Sequence, residues 1–390
     1  GRQAGKHALG SPQTPSPTPG AMGAGPQRRL AAALGAAAVG GAAVVGAAGR
    51  PPRVMEEATD FGGGRAGTPG HGRPMQEQGH PAPVAELAEV PSWPEFFQNY
   101  VRKNRPVVLR GHAASQRAFS LWTDDYLVRH WGAREVSVEV NKTEERGGPT
   151  VQMSLKRFVE EMYQEARSDE YYAIIDFDGD PKAKADFDLS DPLGCKEVVP
   201  QSLTLWMSSG GTKSVLHEDD AENVLMLLSG RKSVMLVHQD EARNIYANIA
   251  EMHGTSPVHQ DAVDLLDFPR FANVSWLRGE LGPGDTLYIP HTYWHQVVSA
   301  GRNLAVNLWW GHREDWRWWD PANKAEYNAR RFGTKGFTSF DKLKSRAPES
   351  VACTPRPDGE DLSKVRFVDE GRWSKYIKKK RRESKDRKEL

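Results

Sequence analysis

Two short segments of the chain carry side chains that suit a divalent metal ion. In the first, His217 and Asp219 lie two residues apart, so a strand would present both side chains on the same face. In the second, a Gly-Asp turn leads into an apolar strand that ends at Pro290 and is followed by His295. Two imidazoles and a carboxylate form a facial triad, which suits a divalent transition metal and leaves coordination positions open for other ligands. The spacing therefore predicts a metal centre at His217, Asp219 and His295.

His291 competes with His295 as the third ligand, because it lies four residues earlier. Pro290 turns the chain where the strand ends, so we expect His291 to face the surface and His295 to bind the metal. Other kinds of catalytic site lack their motifs. His217-Glu218 does not continue as the H-E-x-x-H helix of zinc proteases, and the sequence contains neither a nucleophile elbow nor a dinucleotide-binding fingerprint.

Short β-strands are the elements that would have to position these residues. Apolar runs typical of strands occur at 136–140, 171–175, 233–237, 286–289 and 304–310. Upstream, Ser92 and Pro94 mark the start of a helix, and 105–111 has the pattern of a buried strand that ends at a glycine. Few helix-length patterns separate the strands after residue 200, so the sequence predicts a mainly β, antiparallel core rather than a βαβ sheet.

These residues, in this order, resemble the JmjC/cupin-like oxygenases. The motifs that carry the resemblance are His217-Glu218-Asp219, Asn223, Gly230-Arg231-Lys232, Gly284-Asp285, Tyr288-Ile289-Pro290 and Trp294-His295. The similarity runs from about Pro91 to Trp310, and the nearest pattern is that of small hydroxylases such as the asparaginyl hydroxylase that inhibits hypoxia-inducible factor. It implies a mainly β fold, a double-stranded β-helix or jelly-roll core of the cupin type with flanking helices. It also implies Fe(II) at His217, Asp219 and His295, with 2-oxoglutarate and O2 as co-substrates.

The resemblance further implies a 2-oxoglutarate site inside the barrel. Lys232 stands where the family keeps the lysine that pairs with the distal carboxylate, and a buried ammonium needs such an anionic partner. Ser214 stands where a hydroxyl joins that lysine. Tyr171 is predicted to bring a phenol to the same carboxylate, with Tyr172 as the alternative.

Amides and indoles complete the implied site. Asn223 and Asn307 match amides near the metal-proximal end of 2-oxoglutarate. Trp294 and Trp309 are predicted to form walls of the pocket. Asp220 departs from the family pattern, in which proline or another residue often follows the metal-binding aspartate. It adds negative charge at the mouth of the barrel and leaves the triad intact.

The implied activity is a dioxygenase reaction in which 2-oxoglutarate is decarboxylated to succinate while a substrate is hydroxylated. A protein side chain is the leading hypothesis for the substrate, so the expected partner is a protein or peptide. Lysine demethylation uses the same cofactors, and the triad does not separate the two reactions. The compact cupin-like pattern, without a histone-reader or zinc segment, favours the hydroxylase. A non-catalytic cupin-fold binding module with a basic tail is the competing hypothesis from another class.

Composition and charge indicate which part of the chain folds and which partners its net charge favours. Lys+Arg number 52 against 51 Asp+Glu, so no net field draws the whole chain to nucleic acid or membrane, and we find no specific nucleic-acid motif. We expect a low-complexity region at 1–88, an oxygenase domain at 89–313, a C-terminal extension packing on the core at 314–370 and a basic tail at 371–390. Cys195 and Cys353 are too few for a disulfide framework, and the sequence leaves a single bridge between them open. It also leaves the oligomeric state open.

Three features favour residence in the lumen of the endoplasmic reticulum. The segment 28–49 places apolar residues after two arginines, as in a signal peptide or an uncleaved membrane anchor, with a transit peptide or plain low complexity as alternatives. Arg387-Lys388-Glu389-Leu390 resembles a K-D-E-L retention signal. Asn141 and Asn273 begin glycosylation sequons. Against these features, the basic run at 378–382 is typical of a nuclear signal.

Overall fold

The computed structural model of the protein describes residues 68–140, 149–167, 171–177, 179–188, 194–196, 198–219, 221–247, 254–291, 293–312 and 353–356. The chain divides into two compact units, Gly1–Gly64 and Arg65–Leu390, and every described residue belongs to the second. The predictions that lie outside the described residues concern the segment 28–49, the sequon at Asn141, Asp220, most of the extension at 314–370, and the basic tail at 371–390. Within the described ranges, no helix has the length and apolar character needed to cross a membrane.

The described residues form eleven β-strands in one mixed sheet. Their bounds are β1 His80–Pro83, β2 Ala85–Leu87, β3 Val107–Leu109, β4 Glu135–Val140, β5 Thr150–Ser154, β6 Tyr171–Asp176, β7 Val198–Ser208, β8 Glu222–Val237, β9 Ser275–Leu281, β10 Thr286–Ile289 and β11 Trp294–His312. The order across the sheet is β2-β3-β10-β8-β11-β7-β6-β4-β5, while β9 joins β8 and β1 joins β9. The pairs β1–β9 and β2–β3 are parallel and the others antiparallel. The predicted mainly β class is therefore confirmed.

The two longest strands, β8 and β11, run through the middle of the sheet. They pair antiparallel from Trp294 opposite Val237 to Trp310 opposite Glu222. On its other edge, β8 pairs with β10 through one half of its length and with β9 through the other half. Because β10 and β9 pair with different halves of the same edge of β8, the sheet divides along this edge and its two parts can curl around an interior. This arrangement fits the jelly-roll core that the motifs implied.

Five short helices flank the sheet in the part of the chain that the structure describes: α1 Trp93–Phe96, α2 Arg117–Leu121, α3 Asp124–Trp131, α4 Leu155–Arg157 and α5 Pro181–Ala185. The helices α1 and α4 continue as π-helical turns, Phe97–Val101 and Phe158–Met162. The helix predicted after Ser92 is confirmed. The Glu95 carboxylate accepts a hydrogen bond of 3.1 Å from the Ser92 N–H, as in a capping box. Leu127 and Trp131 lie one turn apart in α3, so both face the core and are buried.

Alternation along the strands divides the apolar side chains between the barrel interior and the outer faces of the sheet. The interior cluster comprises mainly strand residues, among them Leu225, Leu227, Val234, Leu236, Leu287, Ile289 and Ala305. The first outer cluster packs the sheet against the helices and includes Phe97, Leu127, Phe158, Val224, Met226, Val306 and Leu308. The second outer cluster covers the other end of β8 and β11 and includes Met75, Met235, Val237, Phe271 and Trp294.

A bulge beside Gly230 decides which side chains of β8 face the interior. Leu227 and Val234 both belong to the interior cluster, although residues an odd number of positions apart in a regular strand face opposite sides. Gly230 has a φ of 82°, and the register of β8 against β11 shifts beside it, between Ala300 and Leu304. Between Leu304 and Ala305, the partner on β8 moves from Ser229 to Leu227, so Leu228 is the extra residue that lets β8 reverse its faces beside this glycine.

The sheet begins earlier in the chain than the sequence predicted. Both β1 and β2 lie inside the region 1–88 that we expected to be low-complexity, and Met75 is fully buried. Pro81 and Pro83 conceal β1 from a strand pattern, because proline lacks the N–H that a ladder uses. Pairing along β9 nevertheless holds this segment in the sheet. The predicted boundary at residue 88 is therefore wrong.

A disulfide joins Cys195 to Cys353, with the Cα atoms 5.1 Å apart. The backbone supports this pairing, since the segments 194–196 and 353–356 share two hydrogen bonds of 2.9 Å between N–H and carbonyl groups. The bridge that the sequence left open thus ties 353–356 to the chain immediately before β7.

Candidate metal centre

His217 and His295 lie opposite each other on adjacent chain segments. Each residue donates its N–H to the carbonyl of the other, at 3.0 and 2.6 Å, as a hydrogen-bonded pair does in an antiparallel ladder. The segment before His217 follows β11 in the same way, with the Ser214 N–H donating to the Val297 carbonyl at 2.9 Å. Backbone pairing therefore fixes the two imidazoles, whose ring centres are 4.2 Å apart.

Asp219 completes the group of three. Its Oδ1 lies 4.0 Å from the His217 Nε2, and its Oδ2 lies 3.6 Å from the His295 Nε2. Such separations are spanned by two metal–ligand bonds of roughly 2 Å each. In the described residues, no other group of His, Cys, Asp or Glu brings three ligand atoms within 4.8 Å of one another. The His217 and Asp219 side chains are 16% and 27% exposed, so the centre opens to solvent on their side.

Hydrogen bonds on the far side of each ring set the tautomer of both histidines. The His217 Nδ1 lies 2.8 Å from the Val215 carbonyl oxygen, and the His295 Nδ1 lies 3.1 Å from that of Tyr293. A carbonyl oxygen only accepts, so Nδ1 carries the proton and Nε2 keeps its lone pair. Metal-binding histidines are commonly oriented in this way. Two neutral imidazoles and one carboxylate therefore fit a divalent transition metal such as Fe(II).

His291, the competing ligand, lies outside this group. It is half-buried rather than fully exposed, which corrects the expectation that it faces the surface. Its N–H donates to the Glu222 carboxylate at 3.0 Å, and the Tyr288 hydroxyl donates to the same carboxylate at 2.7 Å. Glu222, which the sequence did not single out, thus holds the turn between β10 and β11 that delivers His295.

The two predicted amides and one predicted indole lie beside the triad. The Trp309 indole N–H donates to the Asp219 Oδ2 at 3.2 Å. The Asn307 Nδ2 donates to the Asn223 Oδ1 at 2.6 Å, and both amides are buried. Asn223 stands opposite Trp309 in the β8–β11 ladder, which explains why the three residues meet. The structure brings them together, while their roles toward 2-oxoglutarate stay predictions.

Lys232 is buried on the same side of β8 as the interior cluster. It is 4% exposed, and its Nζ donates to the Ser299 Oγ at 2.9 Å. Burial lowers the pKa of Lys232 to about 7, without a contribution from any charged neighbour in the described residues. A buried ammonium of this kind is stabilised by an anion. The barrel interior therefore offers a site for a carboxylate.

The hydroxyl that accepts a hydrogen bond from Lys232 belongs to Ser299, which the sequence did not single out. The Ser214 Oγ accepts a hydrogen bond of 2.9 Å from the Val297 N–H, whereas Lys232 donates to Ser299. The segment that contains Ser214 runs alongside β11, so the short Ser214 side chain reaches the backbone of β11 at Val297. The Ser214 hydroxyl keeps its own hydrogen to donate, so its role beside Lys232 toward 2-oxoglutarate stays a prediction.

Tyr171 lies on the outer side of β6, away from the interior. Its ring packs against the first outer cluster, and its hydroxyl accepts a hydrogen bond of 3.1 Å from the Arg167 guanidinium. Tyr172 lies on the other side, with its ring centre 5.7 Å from that of Trp206. Burial raises the pKa of the Tyr172 phenol, which keeps it protonated as a hydrogen-bond donor. Tyr172, the alternative that the sequence left open, is therefore the one that lies on the interior side, while its contact with 2-oxoglutarate stays a prediction.

Trp294 does not form a wall of the pocket. It precedes His295 in β11, so the two side chains face opposite sides of the strand. Its ring is fully buried in the second outer cluster. Trp206, which the sequence did not single out, lies on the interior side instead, with its ring centre 5.9 Å from that of Trp309.

Comparison with known proteins agrees with this geometry. The cupin-like domain family matches residues 93–315, which is more than half of the chain. The chain belongs to this family. Membership accounts for the curled sheet around the metal centre, and it confirms the resemblance that the motifs carried.

Several proteins share the cupin-like region at moderate identity. Lysine-specific demethylase 8 of Danio rerio is 29% identical over 240 residues, or 58% of this chain and 59% of that protein. Lysine-specific demethylase JMJ30 of Arabidopsis thaliana is 27% identical over 227 residues, or 56% and 53%. tRNA wybutosine-synthesizing protein 5 of Homo sapiens is 29% identical over 256 residues, or 60% and 79%. The chain thus spans little more than half the length of the demethylase relatives. These similarities agree with the resemblance to JmjC/cupin-like proteins that the sequence motifs carried.

Proposed function

We propose that this cupin-like protein is an Fe(II)- and 2-oxoglutarate-dependent dioxygenase that hydroxylates a protein side chain. The observation that carries the proposal is the combination of a His-Asp-His group and a buried ammonium in one barrel. A triad alone fits many metal proteins, and a buried lysine alone occurs in many cores. Together they suit a ligand that chelates metal through a keto-acid end and carries a second carboxylate, which is the chemistry of 2-oxoglutarate.

Each residue of the site would have a defined task. His217 and His295 would hold the metal through Nε2, and Asp219 through a carboxylate oxygen that the Trp309 N–H orients. Lys232 would bind the distal carboxylate. Bound Fe(II), 2-oxoglutarate and O2 supply the oxidation, which places one oxygen atom in a substrate C–H bond and the other in succinate, with release of CO2. The apolar interior would exclude water from the reacting atoms.

The test is binding and turnover of 2-oxoglutarate by the purified full chain. With Fe(II) and air, the wild-type protein should form succinate. Asp219→Ala should lower this rate by at least about 100-fold, since removing a metal ligand costs more than removing an outer hydrogen bond. The matched control is His291→Ala, which removes the competing histidine and should retain the activity.

The outcomes separate the hypotheses. A folded Asp219→Ala protein with wild-type turnover would contradict the metal assignment. A wild-type protein that neither binds 2-oxoglutarate nor forms succinate would be the non-catalytic binding module instead.

Lysine demethylation is the second candidate, because two similar proteins are named for it. Both reactions need the same metal and co-substrate, so the product decides between them. Hydroxylation adds one oxygen atom to a peptide, whereas demethylation removes a methyl group and releases formaldehyde. Formaldehyde release from methyl-lysine peptides would replace the hydroxylase proposal. Modified RNA is the third outcome to be screened, since another similar protein is named for tRNA modification.

We also propose that the protein resides in the lumen of the endoplasmic reticulum. The Cys195–Cys353 bridge supports this location, because disulfides persist in oxidising compartments. Asn273 and Ser275 of the second sequon are both exposed, as a glycosylated site requires. Asn273 ends the helical turn Pro269–Asn273, just before β9.

A further inference from the structure

A buried hydroxyl accompanies the Lys232 ammonium. Ser299 lies directly opposite Lys232 in the β8–β11 ladder, and its Oγ accepts a hydrogen bond of 2.9 Å from the Lys232 Nζ. Ser299 is 3% exposed, and its N–H donates to the Thr212 carbonyl at 2.8 Å. The hydroxyl is therefore held on a backbone that is fixed on both sides.

The contact between Lys232 and Ser299 leaves hydrogen-bonding capacity unused. An ammonium has three N–H donors, and a hydroxyl that accepts one of them still has its own hydrogen to donate. On the other edge of β8, the ladder partner of Lys232 is Leu281, which has no polar side chain. In the described residues, the acceptor that Nζ reaches is a neutral hydroxyl rather than a carboxylate. A buried charge in this position is costly until an anion joins it.

The two donors suit one carboxylate. Because Nζ and Oγ are hydrogen-bonded neighbours, an anion that contacts the ammonium lies within reach of the hydroxyl. One carboxylate oxygen can accept from the ammonium and the other from the hydroxyl, and hydrogen bonds to charged groups are the strong ones.

We propose that Ser299 is a positioning residue for the distal carboxylate of a 2-oxo dicarboxylic acid. It fixes the Lys232 ammonium and donates its own hydroxyl to the second carboxylate oxygen. This inference rests on the proposed function and adds a residue that selects dicarboxylic over monocarboxylic 2-oxo acids.

The strand that carries Ser299 also carries a predicted metal ligand. His295 and Ser299 occupy the same side of β11, four residues or roughly 13 Å apart along the strand. The segment that runs alongside β11 pairs with both of them, through Thr212 at one end and His217 at the other. The distance between the two ends of the site is therefore set by one strand. A ligand that chelates the metal and lacks the far carboxylate would leave Ser299 without a role.

The test compares two 2-oxo acids on the Mn(II)-loaded full chain without O2. The probes are 2-oxoglutarate and 2-oxobutanoate, which lacks the distal carboxylate, and binding is followed by calorimetry. Ser299→Ala should raise the Kd of 2-oxoglutarate by about tenfold, as expected for a lost hydrogen bond to a charged group. The Kd values of 2-oxobutanoate and Mn(II) should stay unchanged. Ser299→Thr keeps a hydroxyl and should recover most of the affinity.

The matched control is Ser256→Ala. It removes a buried hydroxyl that donates to the Ile245 carbonyl at 2.6 Å, outside the interior cluster, and should leave 2-oxoglutarate binding unchanged. A second measurement covers the case in which Ser299→Ala folds poorly. Ser299→Cys keeps a side chain of similar size with only a weak hydrogen-bond donor, and it should also raise the Kd of 2-oxoglutarate.

Two results would overturn the role of Ser299 and leave the proposed function in place. One is an equal Kd of 2-oxoglutarate for folded Ser299→Ala and wild type, and the other is an equal loss for both acids. A wild-type protein that binds no 2-oxoglutarate would overturn the proposed function and this inference together.

Discussion

The Lys232 ammonium couples ligand binding to pH. Burial lowers its pKa from 10.5 to about 7, so in the free protein the side chain is mainly neutral above pH 7. A bound carboxylate favours the charged form, which raises this pKa again. Above pH 7, binding therefore requires uptake of a proton, and the affinity for 2-oxoglutarate should fall as the pH rises.

We predict that the Kd of 2-oxoglutarate rises by up to about tenfold for each pH unit above 7. The measurement is a titration of Mn(II)-loaded protein over a pH series. Dividing the Kd of 2-oxoglutarate by that of 2-oxobutanoate at each pH removes the pH dependence of binding to the metal, which both acids share. Lys232→Ala should raise the Kd of 2-oxoglutarate on the order of 30-fold or more, remove the pH slope and leave metal affinity intact. A wild-type ratio that does not change with pH would place the distal carboxylate away from Lys232.

Sequence patterns identified the predicted metal ligands more readily than the residues near Lys232, at the other end of the site. His217 and Asp219 are joined by a two-residue step, and a local motif leads to His295, so short-range information was enough to bring them together. Ser299 belongs to no local motif, and it is found only by counting alternate positions along β11 from His295. Tyr172 posed the same difficulty, since the face of a residue depends on where its strand starts.

At the scale of the strand, the bulge beside Gly230 lets both halves of β8 turn their site residues toward the interior. Asn223 and Lys232 lie nine positions apart, so a regular strand would turn one of them outward. The reversal beside Gly230 lets both side chains face the barrel interior. A Cβ atom there would lie 2.4 Å from the Asn303 Nδ2 and 2.6 Å from the Arg302 carbonyl oxygen, and the φ of 82° favours glycine.

We predict that Gly230→Ala destabilises the fold and weakens 2-oxoglutarate binding, because relieving the clash displaces Lys232. Gly111 supplies the control, since its φ of 74° is also positive and no atom lies within 4 Å of a Cβ built there. Gly111→Ala should cost about 1–3 kcal/mol in the free energy of unfolding without changing the Kd of 2-oxoglutarate. Gly230→Ala should cost more and raise that Kd. Denaturant unfolding and ligand titration measure the two effects, and an unchanged Kd in Gly230→Ala would refute the link between the bulge and Lys232.

Strands with continuous apolar runs were predictable, whereas β7, whose polar residues line the site, was not. The run at 286–289 matches β10, and those at 136–140 and 171–175 match β4 and β6 to within one residue. The sequence missed β7, in which Ser202 and Thr204 alternate with Leu203 and Leu205. The leucines belong to the first outer cluster, while the polar residues stand opposite Trp309 and Asn307 on the site side. A strand that lines a polar site loses the apolar pattern by which strands are recognised.

For the whole molecule, the luminal location predicts a visible modification. Protein isolated from cells should gain mobility after endoglycosidase treatment, and Asn273→Gln should remove the shift contributed by this exposed sequon. Asn141→Gln reports the first sequon separately. Protease protection in sealed microsomes provides a second measurement that does not depend on glycan attachment. A chain without a shift and with an accessible 371–390 tail would contradict the luminal proposal.

The Cys195–Cys353 bridge spans 158 residues, and the three predicted metal ligands all lie within that span. At a synthesis rate of roughly 5–20 residues per second, His295 emerges some seconds before Cys353. The strands that carry the ligands therefore have time to pair before the second thiol exists. Oxidation of this pair therefore follows synthesis of all three predicted ligands, and the oxidised fraction of nascent chains would count only chains that already contain the full set.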